Sequence, residues 1–589
     1  MPCRIRAQFD FAPLADAPDH PLCFEKPLRV YETSEMTRVQ ETIRDASTAT
    51  ARGNWLAGFV SYDASRAFGA GLDAQVAHDF PLVWFAEFAE PAAACSVNGS
   101  GAVSPPMDWS AETDSAAYHA AIDDIQRRIA SGETYQVNYS HRLRSRMDGD
   151  PARVYSHLRD VHPASYSAFI DTGRHALLSN SPELFFEKRG GLLTSKPMKG
   201  TTPRGIFAGD DASNADRLRS SVKERAENVM IVDLMRNDFG KIGRLGSVRA
   251  SSLFDVEPLP TVWQMTSTVE CEVDASLPLV DILAATFPPG SVTGAPKPIT
   301  TRIIKELESS PRKVYCGCIG YVTPSNDAVF NVAIRTVIVE RESGAAECGV
   351  GGGITAMSTP TAEHQESLSK ALFLTASSEP DMLLETMRVE NGSVYLLQRH
   401  MARLAGSARR FGFTIDIDAI EEEIARRIVA DTTAGNCYRM RLLVSRSGNA
   451  TVELYPLAPS PTELQFAIET EQRIDRKDIR RYHKTADRGF YEVLFRRHFE
   501  ADSPARDVLL VNSDGNVTEF TKGNIVIEIG GEMITPPVGD GLLPGVLRQE
   551  LVDTGVVTER QISVADVWAA ERVWFVNALR GWIPAKRGA

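Results

Sequence analysis

Long apolar runs are missing from this 589-residue sequence, and so is an excess of basic residues. No stretch approaches the roughly 20 apolar residues of a membrane-spanning helix, and the opening MPCRIRAQFDFAPL lacks the apolar segment of a secretory signal. The 64 Lys and Arg are outnumbered by 77 Asp and Glu, which gives a formal net charge of −13. A chain of this charge is repelled by nucleic acid and by anionic membranes. We therefore expect a cytoplasmic protein that binds neither a membrane nor nucleic acid.

Cysteine is also scarce, with eight residues scattered along the chain and only Cys316 and Cys318 close together. A single C-x-C pair is a weak signal for a metal site. The glycine-rich segment CGVGGGITA does not match a dinucleotide-binding fingerprint, because Ile354 stands where the last glycine should be. The sequence shows no internal repeat and no low-complexity tract.

Helix and strand patterns alternate over the first part of the chain. Ile122, Ile125 and Ile129 share one face of a predicted helix, and two predicted strands meet at the turn Gly190-Gly191. We therefore predict a mixed α/β (α+β) domain over residues 1–376. Its longer helices are predicted at about 212–236, 296–309 and 361–376.

Two segments are typical of connections between folded parts. Residues 93–115 are small, polar and proline-bearing, and residues 377–382 form a linker to a second domain at 383–589. That domain opens with a predicted hairpin that turns at Asn391-Gly392. Because a proline-rich stretch at 457–463 interrupts it, we expect two lobes.

Four glutamates occur in two pairs at helical spacing. Glu224 and Glu227 lie three residues apart in one predicted helix, and Glu363 and Glu366 repeat the arrangement in another. Two such helices could bring carboxylates together on a hard divalent cation, which prefers oxygen ligands. The alternative is that both pairs lie on solvated helix faces.

Three glycine-bearing segments could contact an anion. KPMKGTTPRG (196–205) holds Lys199 against a glycine, FPPGSVTGAPKP (287–298) leads into a helix with Lys297, and CGVGGGITA can present backbone N–H groups. The alternative for KPMKGTTPRG is a solvated loop with ordinary surface cations. The alternative for FPPGSVTGAPKP is an ordinary capped turn.

Taken in order, SPELFFE, KPMKGTTPRG, ERAENVMIVDLMRNDFGKIG, FPPGSVTGAPK, YCGCIGYV, NVAIRT and GGGI resemble the chorismate-utilising enzymes. That family includes anthranilate synthase component I, isochorismate and salicylate synthases, and aminodeoxychorismate synthase component I. The resemblance covers about residues 115–376. It implies a sandwich of antiparallel sheets with outer helices, chorismate as substrate and Mg²⁺ as cofactor.

Lys199 resembles the aminodeoxychorismate synthases within that family, because anthranilate synthases typically have alanine at this position. The resemblance implies that Lys199 is a nucleophile that adds at C2 of chorismate as the C4 hydroxyl leaves, before ammonia attacks C4. It implies that Glu183 is the acid that protonates the hydroxyl. Relatives often have a His-Leu-Val-Ser segment whose histidine stands at the position of Gln264. Because this chain lacks the histidine, its role in elimination is not carried over.

The same resemblance assigns the remaining residues of this site. It implies Glu227 and Glu366 as direct Mg²⁺ ligands, with Glu224 and Glu363 beside them. The residues expected to bind chorismate are Arg335, Gly351, Gly352, Thr293 and Lys370.

The second half resembles the class IV pyridoxal-phosphate enzymes through RHMARLAGSARRFGF, HKTADRGFY, NSDGNVTEFTKGNI, PPVGDGLLPGVLRQEL and WFVNALRGWIP. The resemblance implies a two-lobed fold-type IV domain in which Lys484 carries the cofactor and moves the substrate proton. Glu519 would pair with the pyridine nitrogen. Arg403 and the helix N-terminus at Val546 and Leu547 would bind the phosphate, although relatives often have threonine at the position of Leu547.

The two halves together predict a bifunctional enzyme of 4-aminobenzoate synthesis, which feeds folate. The class IV enzymes include aminotransferases as well as aminodeoxychorismate lyase, and the second half alone does not decide between them. The alternatives are an anthranilate synthase fused to an aminotransferase, and a catalytically silent chorismate-binding regulator. No glutaminase domain is visible, so we expect ammonia from solution or from a separate glutamine amidotransferase subunit. A homodimer through the second domain is a further expectation.

Overall fold

The computed structural model describes residues 5–11, 21–92, 107–206, 208–259, 262–374, 380–433, 435–500 and 503–588. The chain divides into two compact units, Met1–Pro203 with Ala215–Ser378 and Arg204–Asn214 with Glu379–Ala589. The predicted connection at 93–115 and the predicted linker at 377–382 lie partly outside the described residues. Across these ranges, no helix is both long enough and apolar enough to cross a membrane.

Strands dominate the first unit. Its described residues form β1 (Arg6–Phe9), β2 (Leu22–Glu25), β3 (Arg29–Thr33), β4 (Trp55–Val60), β5 (Val83–Phe88), β6 (Ser110–Ala111), β7 (Gln136–Arg146), β8 (Tyr166–Asp171), β9 (His175–Ser181), β10 (Leu184–Arg189), β11 (Leu192–Lys196), β12 (Met198–Pro203), β13 (Arg249–Pro258), β14 (Val262–Glu272), β15 (Gly294–Ala295), β16 (Cys318–Val322), β17 (Ala328–Val332), β18 (Thr336–Glu340) and β19 (Ala345–Ile354).

These strands form two antiparallel sheets. The first has the order β15-β7-β19-β18-β9-β8-β1-β2, with β6 beside β7, and the second has the order β12-β14-β11-β10-β17-β16-β4-β5-β3, with β13 beside β14. The predicted turn at Gly190-Gly191 joins β10 to β11, so that prediction is confirmed.

Side chains of β4 alternate between two hydrophobic clusters. Ala57 and Phe59 pack with residues of β1, β8 and β9 from the first sheet. Leu56 and Val60 point to the opposite face and pack with helical residues such as Ile43. Since successive side chains of a strand point to opposite faces, this strand is buried on both. The predicted sandwich of antiparallel sheets with outer helices is confirmed.

The helices of the first unit differ from the sequence predictions at two places. The single helix expected at 212–236 is two helices, because the Ser221 hydroxyl accepts from the Glu224 backbone N–H at 3.3 Å and starts a new helix there. The helix expected at 361–376 ends at Ser369 and is followed by a 3₁₀ turn at Leu372–Leu374. The described helices are α1 (Val39–Ala51), α2 (Ser115–Ala130), α3 (Pro151–Val161), α4 (Ala208–Ser220), α5 (Val222–Gly240), α6 (Leu279–Thr286), α7 (Lys297–Leu307) and α8 (Pro360–Ser369), of which α4 is divided between the two units at Asn214.

The second unit has two lobes, as the sequence predicts. Its strands are β20 (Met382–Glu390), β21 (Ser393–Val394), β22 (Cys437–Ser445), β23 (Ala450–Pro456), β24 (Leu464–Ile468), β25 (Arg506–Val511), β26 (Val517–Phe520), β27 (Gly523–Ile529), β28 (Glu532–Thr535), β29 (Thr558–Glu559), β30 (Arg572–Asn577) and β31 (Gly581–Arg587). Its helices are α9 (Leu397–Phe411), α10 (Ile417–Asp431), α11 (Gly489–His498), α12 (Val546–Asp553) and α13 (Val564–Ala569).

One lobe is the four-stranded sheet β21-β20-β22-β23, which packs against α9 and α10. The other is the sheet β26-β25-β24-β31-β30-β27-β28-β29, in which an additional pairing of β26 with β27 closes six strands into a ring. The proline-rich stretch 457–463 joins the lobes. The hairpin at Asn391-Gly392 is confirmed, with φ of 53° and 72° at its two turn residues.

Candidate active sites

Lys199 lies on β12, one residue before a glycine whose backbone φ is 93°. A side chain at Gly200 would be strained by this φ and would come within 3.2 Å of the Glu224 carboxylate. Burial lowers the pKa of the Lys199 amine, and the nearby Lys370 ammonium lowers it further. The amine is therefore held closer to its neutral, nucleophilic form than a surface lysine.

Two amide side chains fix the backbone around this lysine. Asn228 Nδ2 of α5 donates to the Lys199 carbonyl oxygen at 3.3 Å. Gln264 Nε2 of β14 donates to the Gly200 carbonyl at 2.8 Å, while its Oε1 accepts from the Thr201 hydroxyl at 3.1 Å. Sequence reasoning treated Gln264 only as a missing histidine. The structure gives it a positioning role that needs an amide, because one side chain both donates and accepts.

Glu183 follows β9 and is 3% exposed. Burial raises the pKa of its carboxyl to about 7, against the opposing effects of the Ser291 hydroxyl and the Lys199 amine. A carboxyl with this pKa is partly protonated at neutral pH, so it can donate a proton to a leaving group.

Gln136 of β7 is a site residue that sequence reasoning missed. A Cβ atom at Gly353 would lie 2.3 Å from Gln136 Nε2 and 2.7 Å from Lys199 Nζ, so the amide and the amine meet above this glycine. Gln136 is 1% exposed, and neither polar atom of its side chain has a hydrogen-bond partner within the described part of the chain. In the sequence this residue belongs to an alternating strand pattern, which carries no signal for such a role.

The first pair of predicted metal ligands lies on α5. Burial raises the pKa of Glu224, and the neighbouring Glu227 carboxylate raises it further. Glu366 contributes in the same direction, so carboxylates from both predicted helices interact electrostatically. The Lys223 ammonium lies 3.8 Å from Glu227 Oε1.

The second pair extends from α8 toward β19. A Cβ atom at Gly352 would lie 3.3 Å from Glu363 Oε2 and 3.9 Å from Glu366 Oε1, so the two carboxylates meet above this glycine. Lys370 Nζ contacts Glu366 Oε1 at 2.8 Å and donates to the Gly351 carbonyl at 2.9 Å. Among the residues that the structure describes, no three His, Cys, Asp or Glu side chains are grouped closely enough to hold a metal ion.

Arg335 lies between β17 and β18 with a φ of 49°, a conformation that non-glycine residues adopt rarely and mostly at functional positions. Burial lowers the pKa of its guanidinium to about 10. Within the described ranges, no carboxylate forms an ion pair with it. A desolvated guanidinium without a protein carboxylate suits a carboxylate from a ligand.

The other residues predicted to bind chorismate include Gly351, Gly352 and Thr293, and each already has close contacts within the protein. Gly351 and Gly352 lie inside β19, paired with β7, rather than in a loop. A Cβ at Gly351 would come within 2.2 Å of the Tyr139 carbonyl. The Thr293 hydroxyl donates to the Pro289 carbonyl at 2.8 Å. On the edge of β19 that faces away from β7, β18 pairs only as far as Cys348, so Gly351 and Gly352 have no strand partner there within the described residues.

Lys297 does not offer its charge to a ligand, contrary to expectation. Its ammonium forms an ion pair with Asp238 at 2.6 Å and donates to the Thr286 carbonyl at 2.6 Å. The pair ties the start of α7 to the end of α5, so Lys297 is structural.

In the second unit, Lys484 lies in a cavity of about 1060 Å³ between the two lobes. Burial lowers the pKa of its amine to about 7, and the charges of Arg488 and Arg403 act in the same direction. A buried amine with this pKa can form a covalent link to an aldehyde at neutral pH.

Glu519 on β26 lines the same cavity. Burial raises the pKa of its carboxyl to about 8. The Tyr491 hydroxyl donates to its Oε1 at 3.0 Å and the Leu543 backbone N–H donates to its Oε2 at 3.1 Å. These bonds fix the carboxyl in one orientation.

Arg403 of α9 lies near the start of α12. Its guanidinium contacts both oxygens of Glu385, at 2.8 and 2.6 Å, and donates to the Pro544 carbonyl at 3.3 Å. Helix α12 begins at Val546 without a side-chain cap, which leaves backbone N–H groups for an anion. The Leu547 side chain is buried in a hydrophobic cluster and does not line the cavity, so only its backbone is suited to such a contact.

Comparison with known proteins matches each of the two regions to a protein family. Residues 11–376 match the family of chorismate binding enzymes, which is more than half of the chain, and residues 382–587 match the class IV amino-transferases.

Curated relatives resemble the first region. The chain is 42% identical over 262 residues to aminodeoxychorismate synthase component 1 from Klebsiella aerogenes, which covers 44% of this chain and 58% of that protein. It is 37% identical over 266 residues to anthranilate synthase component 1 3 from Haloarcula marismortui, which covers 45% of this chain and 52% of that protein. The chain thus spans little more than half the length of these relatives.

A solved structure has the same architecture as the first region. Anthranilate synthase component I from Streptococcus pneumoniae TIGR4 matches with a TM-score of 0.52 at 25% identity, over 62% of this chain and 94% of that one. By sequence and by fold, the chain belongs to the chorismate binding enzymes, and it carries a further region that matches the class IV amino-transferases.

Proposed function

We propose that this chain is a bifunctional enzyme, a transferase and a lyase of 4-aminobenzoate (folate) biosynthesis. The first unit aminates chorismate at C4 to 4-amino-4-deoxychorismate, and the second eliminates pyruvate to give 4-aminobenzoate. The observation that carries this proposal is the Lys199 amine, which has a lowered pKa and interacts electrostatically with the raised-pKa carboxyl of Glu183. An alanine at position 199, as in anthranilate synthases, would have no nucleophile to offer.

In the first unit, the Lys199 amine adds to C2 of chorismate while the C4–O bond breaks. The two ring double bonds shift, and the departing hydroxyl takes a proton from Glu183 and leaves as water. Ammonia then attacks C4, the double bonds shift back, and the C2–N bond to Lys199 breaks. The amides of Asn228 and Gln264 hold the lysine backbone during both steps, and Arg335 binds a chorismate carboxylate.

The carboxylates of α5 and α8 suit Mg²⁺ by their chemistry, and a closed group of three is not needed, because this ion is usually held by one or two carboxylates and keeps several waters. Carboxylate oxygens are the hard ligands that this ion prefers, and a cation would relieve the mutual repulsion that helps to raise the pKa of Glu224 and Glu363. Glu227 and Glu366 would be the direct ligands. The ion would supply positive charge for a chorismate carboxylate in a site that is otherwise rich in glutamate.

Pyridoxal phosphate fits the cavity of the second unit. A buried lysine with a pKa of about 7 faces it, a buried carboxyl lies on its wall, and an uncapped helix start lies beside Arg403. When bound, the cofactor supplies an electron sink for removal of the C4 proton. Lys484 would take this proton, and Glu519 would hydrogen-bond the ring nitrogen. Arg403 and the backbone N–H groups at Val546 and Leu547 would bind the phosphate. Loss of the C3 enolpyruvyl group as pyruvate leaves an aromatic ring.

The remaining parts of the proposal concern partners and location. Ammonia comes from solution or from a separate glutamine amidotransferase subunit. The second domain is the expected surface for a homodimer, and the cytoplasm is the expected compartment.

The direct test gives the purified protein chorismate, Mg²⁺ and ammonium and identifies the aromatic product. We expect 4-aminobenzoate and pyruvate in equal amounts without any amino-acid donor. Glutamine should replace ammonium only when a glutaminase partner is added. Anthranilate as the product would contradict the C4 assignment. Exchange of amino groups between amino and keto acids, without 4-aminobenzoate, would make the second unit a transaminase.

A further inference from the structure

The cavity around Lys484 is strongly basic although the whole chain is acidic. Among the described residues that line it, eleven are Lys or Arg and five are Asp or Glu. Several of the arginines already have carboxylate partners. Arg480 pairs with Asp478 at 2.9 Å, and Arg441 pairs with Glu453 at 3.3 Å. Those partnered cations have less charge to offer a ligand.

Arg439 and Arg580 differ from these residues. Arg439 lies on β22 of the four-stranded lobe, with its guanidinium 5.0 Å from the centre of the Tyr455 ring. Arg580 lies between β30 and β31 of the other lobe and donates to the Ala458 and Pro459 carbonyls at 3.3 and 3.4 Å. In the described part of the chain, no carboxylate lies within 4.0 Å of either guanidinium.

The two guanidiniums line the same cavity and interact electrostatically. Burial lowers the pKa of Arg580, and the charge of Arg439 lowers it further. Both side chains line the same cavity without a carboxylate partner in the described part of the chain, so their like charges repel each other there. An anion between them would remove this repulsion and could accept hydrogen bonds from both guanidiniums.

The loop that carries Arg580 is fixed in place. The Arg580 backbone N–H donates to Asn577 Oδ1 at 2.8 Å, and Asn577 Nδ2 donates to the Lys522 carbonyl at 3.1 Å. The guanidinium therefore extends from an anchored turn, and its carbonyl contacts limit its orientation. This arrangement favours recognition of a planar carboxylate.

We infer that Arg439 and Arg580 form a carboxylate-binding subsite that selects the substrate of the second unit. This inference rests on the proposed function, because 4-amino-4-deoxychorismate is a dicarboxylate with a single primary amine. With the amine at Lys484, a carboxylate remote from that amine lies between the two guanidiniums. Ordinary aliphatic amino acids have no second carboxylate to place there, so the subsite favours the lyase substrate over transaminase substrates.

The test measures pyruvate release from 4-amino-4-deoxychorismate supplied directly to the pyridoxal-phosphate-loaded protein. In Arg439→Gln and Arg580→Gln we expect KM to rise at least tenfold, with a smaller change in kcat and unchanged absorbance of the bound cofactor. Arg439→Lys keeps the positive charge but loses the planar guanidinium, so its KM should lie between those of the unmodified protein and Arg439→Gln. The matched control is Arg506→Gln, which removes another cavity-lining cation, one that packs over Phe499.

Chorismate provides a second readout, because it has the carboxylates but no amine. In a Lys199→Ala background it should inhibit the lyase reaction competitively, and its inhibition constant should rise at least tenfold in both Gln variants. Unchanged KM and inhibition constants in both variants, or an equal rise in Arg506→Gln, would overturn the subsite. Failure of the unmodified protein to release pyruvate would instead contradict the proposed function.

Discussion

A lysine amine in water is almost fully protonated at neutral pH, and the surroundings of Lys199 reduce that preference. Burial and the nearby Lys370 lower its pKa, while Glu183 has a raised pKa for the same reason, burial. At the residue scale the site therefore combines an amine that loses its proton more easily than a surface lysine with a carboxyl that keeps its proton more easily than a surface glutamate, and the two interact electrostatically. The amino-acid composition does not predict the opposite pKa shifts of Lys199 and Glu183.

The role of Lys199 as a nucleophile can be tested by substitution and by trapping. Lys199→Ala should reduce C4 amination at least a hundredfold, because no amine remains to add at C2, while chorismate should still bind. Mass spectrometry of enzyme trapped with chorismate should place the adduct on Lys199. An adduct on another residue, or an alanine variant with full activity, would remove Lys199 from the mechanism.

Two glycines of β19 should respond differently to the same substitution. In Gly353→Ala the new Cβ meets the mobile ends of Gln136 and Lys199, at 2.3 and 2.7 Å, so we expect amination to fall at least tenfold with little loss of stability. In Gly351→Ala it meets the Tyr139 carbonyl at 2.2 Å, so stability should fall by about 1–3 kcal/mol.

Thermal unfolding and initial rates would separate the two effects. Gly240→Ala is the control, because a Cβ there has no described atom within 4 Å. A Gly353→Ala protein that unfolds like Gly351→Ala would contradict the idea that only side-chain ends are displaced.

At the scale of elements, helices α5 and α8 deliver carboxylates toward one region because each carries glutamates three residues apart. This spacing could be recognised in the sequence, since the period of a helix is fixed. The break at Ser221 was missed because the apolar pattern continues across it. Gln136 and Gln264 could not be assigned either, because their partners lie on segments that only the sheets bring together.

The metal prediction belongs to these two helices. If Glu227 and Glu366 hold Mg²⁺, each Gln variant should need at least tenfold more Mg²⁺ for half-maximal chorismate turnover, because a charged ligand is lost. Pyruvate release from added 4-amino-4-deoxychorismate should not change. Glu270→Gln, a surface carboxylate that pairs with Arg249, is the control. If the two Gln variants, the control and the unmodified protein all showed the same Mg²⁺ dependence, Glu227 and Glu366 would not be metal ligands.

At the scale of the whole molecule, one chain joins two regions that match different families, and each region has its own lysine of lowered pKa and its own hydrophobic clusters. The first clusters draw on residues before Ser378 and the later ones on residues after Glu379. The order of motifs along the sequence was enough to predict both regions. It was not enough to predict the closed ring of six strands in the second unit, which depends on pairing between β26 and β27.

This separation predicts that one activity can be removed without the other. Lys484→Ala should lose the absorbance of bound cofactor and accumulate 4-amino-4-deoxychorismate, because the first unit has no use for pyridoxal phosphate. Chromatography of the products with chorismate, Mg²⁺ and ammonium would show the intermediate. Normal 4-aminobenzoate formation by this variant would exclude Lys484 as the essential lysine of the second step.

A lowered pKa at a lysine has a consequence beyond catalysis, because it enlarges the neutral fraction of the amine, and the neutral amine reacts with small electrophiles that reach it. Cyanate, which accumulates in aged urea solutions, carbamylates neutral amines far faster than ammonium groups. Lys199 and Lys484 should therefore be modified ahead of the exposed lysines when the folded protein meets dilute cyanate at neutral pH. Peptide mapping would reveal the order of modification. Bound chorismate should shield the first lysine and bound pyridoxal phosphate the second, so each ligand would preserve one activity against the same chemical damage.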